Sequence, residues 1–354
     1  MQLFLWLLVA VAAAKTILLT NDDGYYATNI RATYYKLKEA GYNVILVAPV
    51  VQKSGNGGKF DLPENTTLQR DGEFGYVKKG APSWDHEPDD DHIWYFNGTP
   101  ASSVAFALSY LIPQKFGNIS VDLTVSGPNE GTNLGPGLFS ISGTIGAAYN
   151  SVYRGVPAIA FSGSNSNNSL YTDDLALNDT KSPATIYANK VVELVNTLFA
   201  ASNRTKQPVL PLGYGVNVNF PPVGHETGRG SKHGGQECLD PKWVNTRITG
   251  NDTLIPDVKI EDGKPPIWSP KAYPGVEVCI FGDCSYPSEQ HIVEKSDNCS
   301  TSISLFSIDY DADTVSQHAF AKVLTPITDS KDKKKDDKKS DKKDDKKGKN
   351  DKKN

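Results

Sequence analysis

No Gly-x-Ser-x-Gly stretch occurs anywhere in the 354 residues, which excludes the serine esterases whose nucleophile sits at a strand-to-helix turn. Nor does Gly-x-Gly-x-x-Gly follow the first strand, where Asn21-Asp22-Asp23-Gly24 stands instead; that removes the dinucleotide oxidoreductases, which need those glycines against a pyrophosphate. Cysteine is scarce: Cys238, Cys279, Cys284 and Cys299 are the four, all in the last third. In an oxidising compartment an even number favours two disulfides, with three pairings open. A zinc site built from Cys279, Cys284 and His291 would have poor ligand spacing. An apolar run of bilayer length is also missing. Leu3 to Ala14 offers about 12 apolar residues where a span needs roughly 20, and it has the length of a signal-peptide core closing in Ala12-Ala13-Ala14. No basic residue precedes it, which leaves a signal anchor as the alternative.

A signal peptide over 1–14 would send the chain outside the cell. Sequons agree with that: Asn65, Asn97, Asn118, Asn167, Asn178, Asn203, Asn251 and Asn298 each open Asn-x-Ser/Thr, and each must lie at the surface if glycosylated. From Asp329 to Asn354 there are 13 lysines and 8 aspartates, a net +5, so the remainder, with 24 basic and 33 acidic residues, carries -9. That tail has no apolar residues to offset its ordering entropy and is expected to be disordered. No hydrophobic stretch follows it, so no lipid-anchor signal or span is expected there. Residues 15–328 are left as one large domain.

Along that stretch strands and helices alternate. Thr16 to Thr20 is an apolar run short enough for a buried strand; Ile30, Tyr34 and Leu37 recur at helical spacing before Gly41. Asn43 to Ala48 reads as the next strand. Thr99-Pro100 caps and starts a helix from Ala101 to Leu111 that Pro113 should end. Val121 to Val125 is a strand, Gly143 to Arg154 a helix, Ala158 to Phe161 a strand; residues 213–220 and 302–308 supply two more. Asn65 to Asp91 is polar and aperiodic and reads as a long surface loop or hairpin. Strands this apolar between helices predict an α/β fold with a mostly parallel sheet covered on both faces.

The chemistry gathers after the strands. Asp22 and Asp23 are paired oxygen ligands at the carboxyl end of a parallel strand, where open α/β sheets bind ligands. Ser54, after the second strand, adds a hydroxyl at the same edge. Ser126-Gly127-Pro128-Asn129-Glu130-Gly131-Thr132-Asn133-Leu134-Gly135 brings glycines that admit a ligand to the backbone and asparagines with neutral oxygens. Ser142-Gly143-Thr144 runs into a helix whose N-terminus attracts anions. Each piece alone also reads as an ordinary turn or cap.

Together and in order, Asn-Asp-Asp-Gly, Ala-Pro-x4-Ser-Gly, Gly-Thr-Pro, Ser-Gly-x-Asn-x-Gly-x-Asn-Leu-Gly, Ser-Gly-Thr-x-Gly-Ala-Ala and Gly-x-Pro-Ala-Ile-Ala resemble the SurE (survival protein E) family of metal-dependent phosphatases and nucleotidases, in its secreted fungal acid-phosphatase branch. The resemblance runs from residue 16 to about 162, with weaker likeness at 213–220 and 301–309. It implies a Rossmann-like sheet with a C-terminal extension used in oligomerisation, as in a homodimer. It also implies a divalent ion on Asp22, Asp23, Ser54 and Asn129; ligands of oxygen alone suit Mg2+, Mn2+ or Ca2+ better than zinc. The substrate it implies is a small phosphate monoester such as a nucleoside monophosphate, held by Asn133, Ser142, Gly143 and Thr144, with Asp22, Asn133 and Ser142 in catalytic roles. No nucleic-acid polymer and no stable membrane anchor are expected.

The chain departs from the family pattern at Asn29, where glycine is usual, at Ala101-Ser102-Ser103 after Gly-Thr-Pro, and at Ser307, where a histidine is often found. His233 could supply a proton in its place, although an exposed loop histidine is the plainer reading. These departures keep a second function class in view, a secreted binding protein on a catalytically weakened scaffold of the same kind.

Overall fold

A computed structural model describes residues 14–117, 119–165, 168–225, 232–233, 236–296 and 299–328. The signal segment, the Lys/Asp tail and the sequons Asn118, Asn167 and Asn298 lie outside the described residues, as does the side chain of His233. Two compact units divide at Ile308 and Asp309.

The first unit is built on a nine-stranded sheet. Its strands are β1 Thr16–Thr20, β2 Asn43–Pro49, β3 Trp84–Glu87, β4 Asp90–Phe96, β5 Leu123–Glu130, β6 Ala158–Gly163, β7 Tyr214–Asn219, β8 Lys242–Thr246 and β9 Ser300–Ser307, in the spatial order β8-β9-β7-β6-β5-β1-β2-β4-β3. Pairs from β7 through to β4 are all parallel; β3 on β4 and β9 on β7 are antiparallel, and β8 runs parallel to β9. The expected mostly parallel sheet is therefore present, with an antiparallel margin at each side.

Period-two alternation sends Ile17 and Leu19 to one face and Leu18 to the other. On the first face lie α1 (Thr28–Glu39) and α5 (Pro183–Thr205), whose stripes Ile30, Tyr34, Leu37 and Tyr187, Val191, Val195 recur at three- and four-residue spacing and are wholly buried. On the second lie α2 (Pro100–Phe106) and α4 (Gly143–Tyr153), with Val104 and Ala147 against Leu18, Ile45 and Val47. Each large apolar side chain so buried contributes about 1.5–3 kcal/mol. Between them in sequence comes α3, Gly135–Ile141. The described part of the second unit contains α6, Thr314–Thr328, which carries Val315, Phe320, Val323 and Ile327 exposed.

One local expectation is corrected and two are borne out. Pro113 does not end its helix: a π-helical turn at Ala107–Leu111 resets the ladder, and Ile112–Lys115 restarts with the proline in its first turn, where a missing N–H costs nothing. The 65–91 stretch holds the hairpin that is one of its two readings: β3 pairs antiparallel with β4, which continues as a parallel neighbour of β2. The four cysteines form Cys238–Cys299 and Cys279–Cys284, so no thiolate is left for zinc, and His291 Nδ1 instead sits 2.7 Å from Asp252 Oδ2.

Candidate active site

Chain order reverses direction at β1, which lies between β2 and β5, and open α/β sheets bind ligands in the crevice outside such a switch point. The turn after β1 is held by Asn21, whose Nδ2 donates to Gly24 O and whose Oδ1 accepts from Gly24 N, at 3.0 and 3.1 Å. Gly24 has φ +108°, and a Cβ there would fall 2.5 Å from the Tyr26 ring, so glycine is required. The turn seals Asp22 and Asp23 at 2% and 1% exposure.

Asp22 lies against the start of α4. Its Oδ1 accepts from Thr144 Oγ1 at 2.6 Å, and a Cβ on Gly143 would stand 2.9 Å from its Oδ2. Burial raises its pKa, opposed first by the Thr144 hydroxyl and then by backbone amides that include those of Thr144 and Gly143. Asp23 Oδ2 accepts from the Glu130 amide at 2.9 Å, and Asn168 Nδ2 donates to its carbonyl. Its pKa is raised further, by burial first and then by the charges of Asp22 and Glu130. Glu130 itself is pushed up to about 8 by burial. Two adjacent carboxyls out of water are costly as charges unless a cation joins them.

Asn129 supplies a test of that cation. It is 6% exposed at the end of β5; its Nδ2 donates to Gly131 O at 2.7 Å, while its Oδ1 has no hydrogen-bond partner. A buried carbonyl oxygen left unpaired, on the residue before the Glu130 amide that donates to Asp23, fits a hard oxygen-seeking ion. Gly127, at φ +106°, leads into it, and a Cβ there would meet Phe161 O at 2.2 Å. Ser54 is exposed on the loop after β2. Lys53 N donates to Asp22 O at 2.7 Å and Gly57 N to Ile141 O at 2.8 Å, which ties this loop to the turn after β1 and to the last residue of α3.

Ser142 caps α4, its Oγ accepting from Ile145 N at 3.2 Å, so its own hydroxyl proton stays available. Asn133 is 7% exposed; its Nδ2 donates to Ser162 Oγ at 2.7 Å and its N–H to Asn219 Oδ1 at 2.7 Å. Asp22, Asp23, Asn129, Asn133, Ser142, Gly143 and Thr144 are thus all buried at the carboxyl ends of β1 and β5 and the start of α4, with Ser54 on the adjoining loop. Sequence reasoning missed Ser162, Asn217 and Asn219, polar residues buried inside apolar strands; their alternation in Asn217-Val218-Asn219 was the available signal.

The departures have local roles. Asn29 and Asn165 exchange amide hydrogen bonds at 3.2 and 3.3 Å, joining α1 to the loop after β6. Ser102 forms a capping box with Thr99 at the start of α2, accepting from Thr99 N at 2.9 Å and donating to Asp61 O at 2.6 Å. Ser307 ends β9 opposite Tyr214. Elsewhere Asp90, Asp91 and His92 cluster on β4, but Tyr34 and Lys38 already engage Asp90. A cleft of about 730 Å³ lined by Leu108, Ile112, Ile119 and Arg154 lies by the amino end of β5 and holds none of the candidate residues.

A family model described as Survival protein SurE matches residues 17–238. An acid phosphatase of Yarrowia lipolytica is 43% identical over 298 residues, 84% of this chain and 80% of that protein. A 5'-nucleotidase SurE of Desulfitobacterium hafniense is 40% identical over 147 residues, 41% of this chain and 50% of that protein. Among solved structures, the SurE protein from Aquifex aeolicus superposes with a TM-score of 0.53 at 21% identity, over 90% of this chain and 100% of that one, a likeness of fold.

Proposed function

Because the chain belongs to the Survival protein SurE family, we propose that it is a secreted, metal-dependent phosphoric monoester hydrolase of the acid-phosphatase or nucleotidase type. The carrying observation is the buried pair Asp22 and Asp23, with the unpaired Asn129 Oδ1 on the residue before the Glu130 amide that donates to Asp23. With Ser54 these residues would hold a divalent ion, Mg2+, Mn2+ or Ca2+. Such an ion supplies charge neutralisation at phosphate and a more acidic water.

The chain's own groups do the rest. Thr144 fixes Asp22 through the 2.6 Å hydrogen bond, leaving Oδ2 to orient or deprotonate the attacking water. Asn133, the free hydroxyl proton of Ser142 and the opening turn of α4 hold the nonbridging oxygens as charge builds on them. The substrate is a small phosphate monoester such as a nucleoside monophosphate, and the working unit a homodimer. Secretion is supported by two disulfides and by the exposure of Asn65, Asn178, Asn203 and Asn251. Among the described residues no helix is long and apolar enough to cross a membrane.

The test is phosphate release from p-nitrophenyl phosphate and a panel of nucleoside monophosphates by the purified secreted protein, with chelator and then with Mg2+ or Mn2+ restored. Chelator-sensitive release is expected. No release with any metal would overturn the reading in favour of a binding protein.

A further inference from the structure

Glu289 is the most deeply placed charged-type side chain that the site chemistry does not use. It follows Ser288, which bridges to Arg247 just past β8, and its own N–H donates to Arg247 O at 2.9 Å, so its backbone is fixed as an extension of the sheet edge. The side chain is 0% exposed. A carboxyl is not buried for packing alone, since desolvating it is costly unless donors converge on it.

Three donors do converge. Gly135 N–H reaches Oε1 at 2.7 Å, Ser304 Oγ reaches Oε2 at 3.1 Å, and Asn217 Nδ2 lies 3.3 and 3.1 Å from the two oxygens. Two of these belong to the loop that carries Asn133, or touch it. Gly135 opens α3 two residues beyond Asn133, and Asn217 Nδ2 also donates to Asn133 O at 3.2 Å. Asn219 completes the grip, accepting from Asn133 N at 2.7 Å and lying 3.4 Å from Asn133 O. Gly135, at φ +72°, is packed so closely that a Cβ there would stand 3.0 Å from Thr253 and 3.3 Å from Leu254 O.

We infer that Glu289 is a positioning residue for phosphate binding: from 154 residues away in sequence it fixes the Asn133–Gly135 turn, and so sets where the Asn133 amide meets the substrate. The inference rests on the phosphomonoesterase reading for what Asn133 holds. Its effect is one of reach rather than of charge, because the donors need an acceptor at a fixed distance. Glutamine keeps an acceptor oxygen at that reach, whereas aspartate keeps the charge and withdraws it by one methylene.

The experiment compares wild type, Glu289→Gln and Glu289→Asp, both substitutions mild enough to leave a cooperative melt. Measured are kcat and KM for p-nitrophenyl phosphate, Ki for inorganic phosphate, Mn2+ affinity by calorimetry, and amide exchange of the segment holding Asn133 and Gly135. Expected for Glu289→Asp is a KM and a phosphate Ki raised about tenfold with Mn2+ affinity unchanged, and faster exchange in that segment; Glu289→Gln should stay within about threefold of wild type. Unchanged KM and Ki in Glu289→Asp, or the larger loss in Glu289→Gln, would overturn the inference. Should wild type release no phosphate, the functional reading fails, while the exchange comparison still decides whether Glu289 holds the turn: equal exchange in all three proteins refutes it.

Discussion

Asp22→Asn separates the chemistry of the site from its packing. Asparagine preserves the volume, and its Oδ1 can still accept from Thr144 at the present 2.6 Å. What disappears is one of two adjacent carboxyls that are 2% and 1% exposed. Without metal the variant should be at least as stable as wild type, by about 1–3 kcal/mol, because a desolvated charge facing a second one has been removed. With metal the order reverses. Saturating an ion to 100 times its Kd stabilises wild type by about 2.7 kcal/mol, a melting shift of roughly 5 °C for a unit of this size; the variant should show less than half of that shift. Activity should fall at least about a hundredfold, equivalent to roughly 3 kcal/mol of transition-state stabilisation. The assays are release of p-nitrophenol across a Mn2+ titration and thermal melting at the same concentrations. A folded variant with activity within about threefold of wild type and an undiminished Mn2+ shift would refute the assignment of Asp22.

Further outcomes follow from the same geometry. Gly143→Ala places a methyl 2.8 Å from Asp22 Cβ and 2.9 Å from its Oδ2, so the carboxyl must move; a loss of about tenfold or more in kcat/KM with little change in melting is expected, and full activity would contradict it. Removing Cys238–Cys299, which closes 61 residues, should cost about 4 kcal/mol in urea unfolding, against about 2 for Cys279–Cys284, which closes 5; equal costs would argue against loop entropy as the cause. Burial pushes Glu289 up to about 8 from an ordinary 4.5, so the folded state holds its proton more tightly. The stability this contributes is complete below pH 4.5 and is lost as pH rises through 8, by about 5 kcal/mol at most. Glu289→Gln should therefore gain on wild type between pH 5 and pH 8 in urea midpoints, and parallel profiles would count against the shift.

Much of the architecture was legible in residue order. The Thr16–Thr20 run ending in Asn-Asp-Asp-Gly predicted a buried strand with two carboxylates at its end, and the strand stands there. The stripe Ile30, Tyr34, Leu37 predicted α1. Tyr187, Val191 and Val195 carry the same spacing for α5, a helix absent from the expected elements. At Asp90 and Asp91 the charges leave loop and hairpin both open; the structure forms the β3–β4 hairpin, and Asp90 is compensated by Tyr34 and Lys38 of α1, a partnership with no local trace.

Periodicity, cap residues and glycine turns act within a few residues, so the sequence by itself determined most of the parallel core strands, their order and the position of Asp22 and Asp23 at a strand end. Tertiary structure alone decided what depends on distant segments meeting. It chose one of three cysteine pairings by bringing Cys299, before β9, to Cys238, before β8. It laid Thr144 on Asp22 across 122 residues and Glu289 on Gly135 across 154. Those contacts come from the packing of whole elements, whose energy is shared over many side chains and leaves no pattern in any one stretch of sequence.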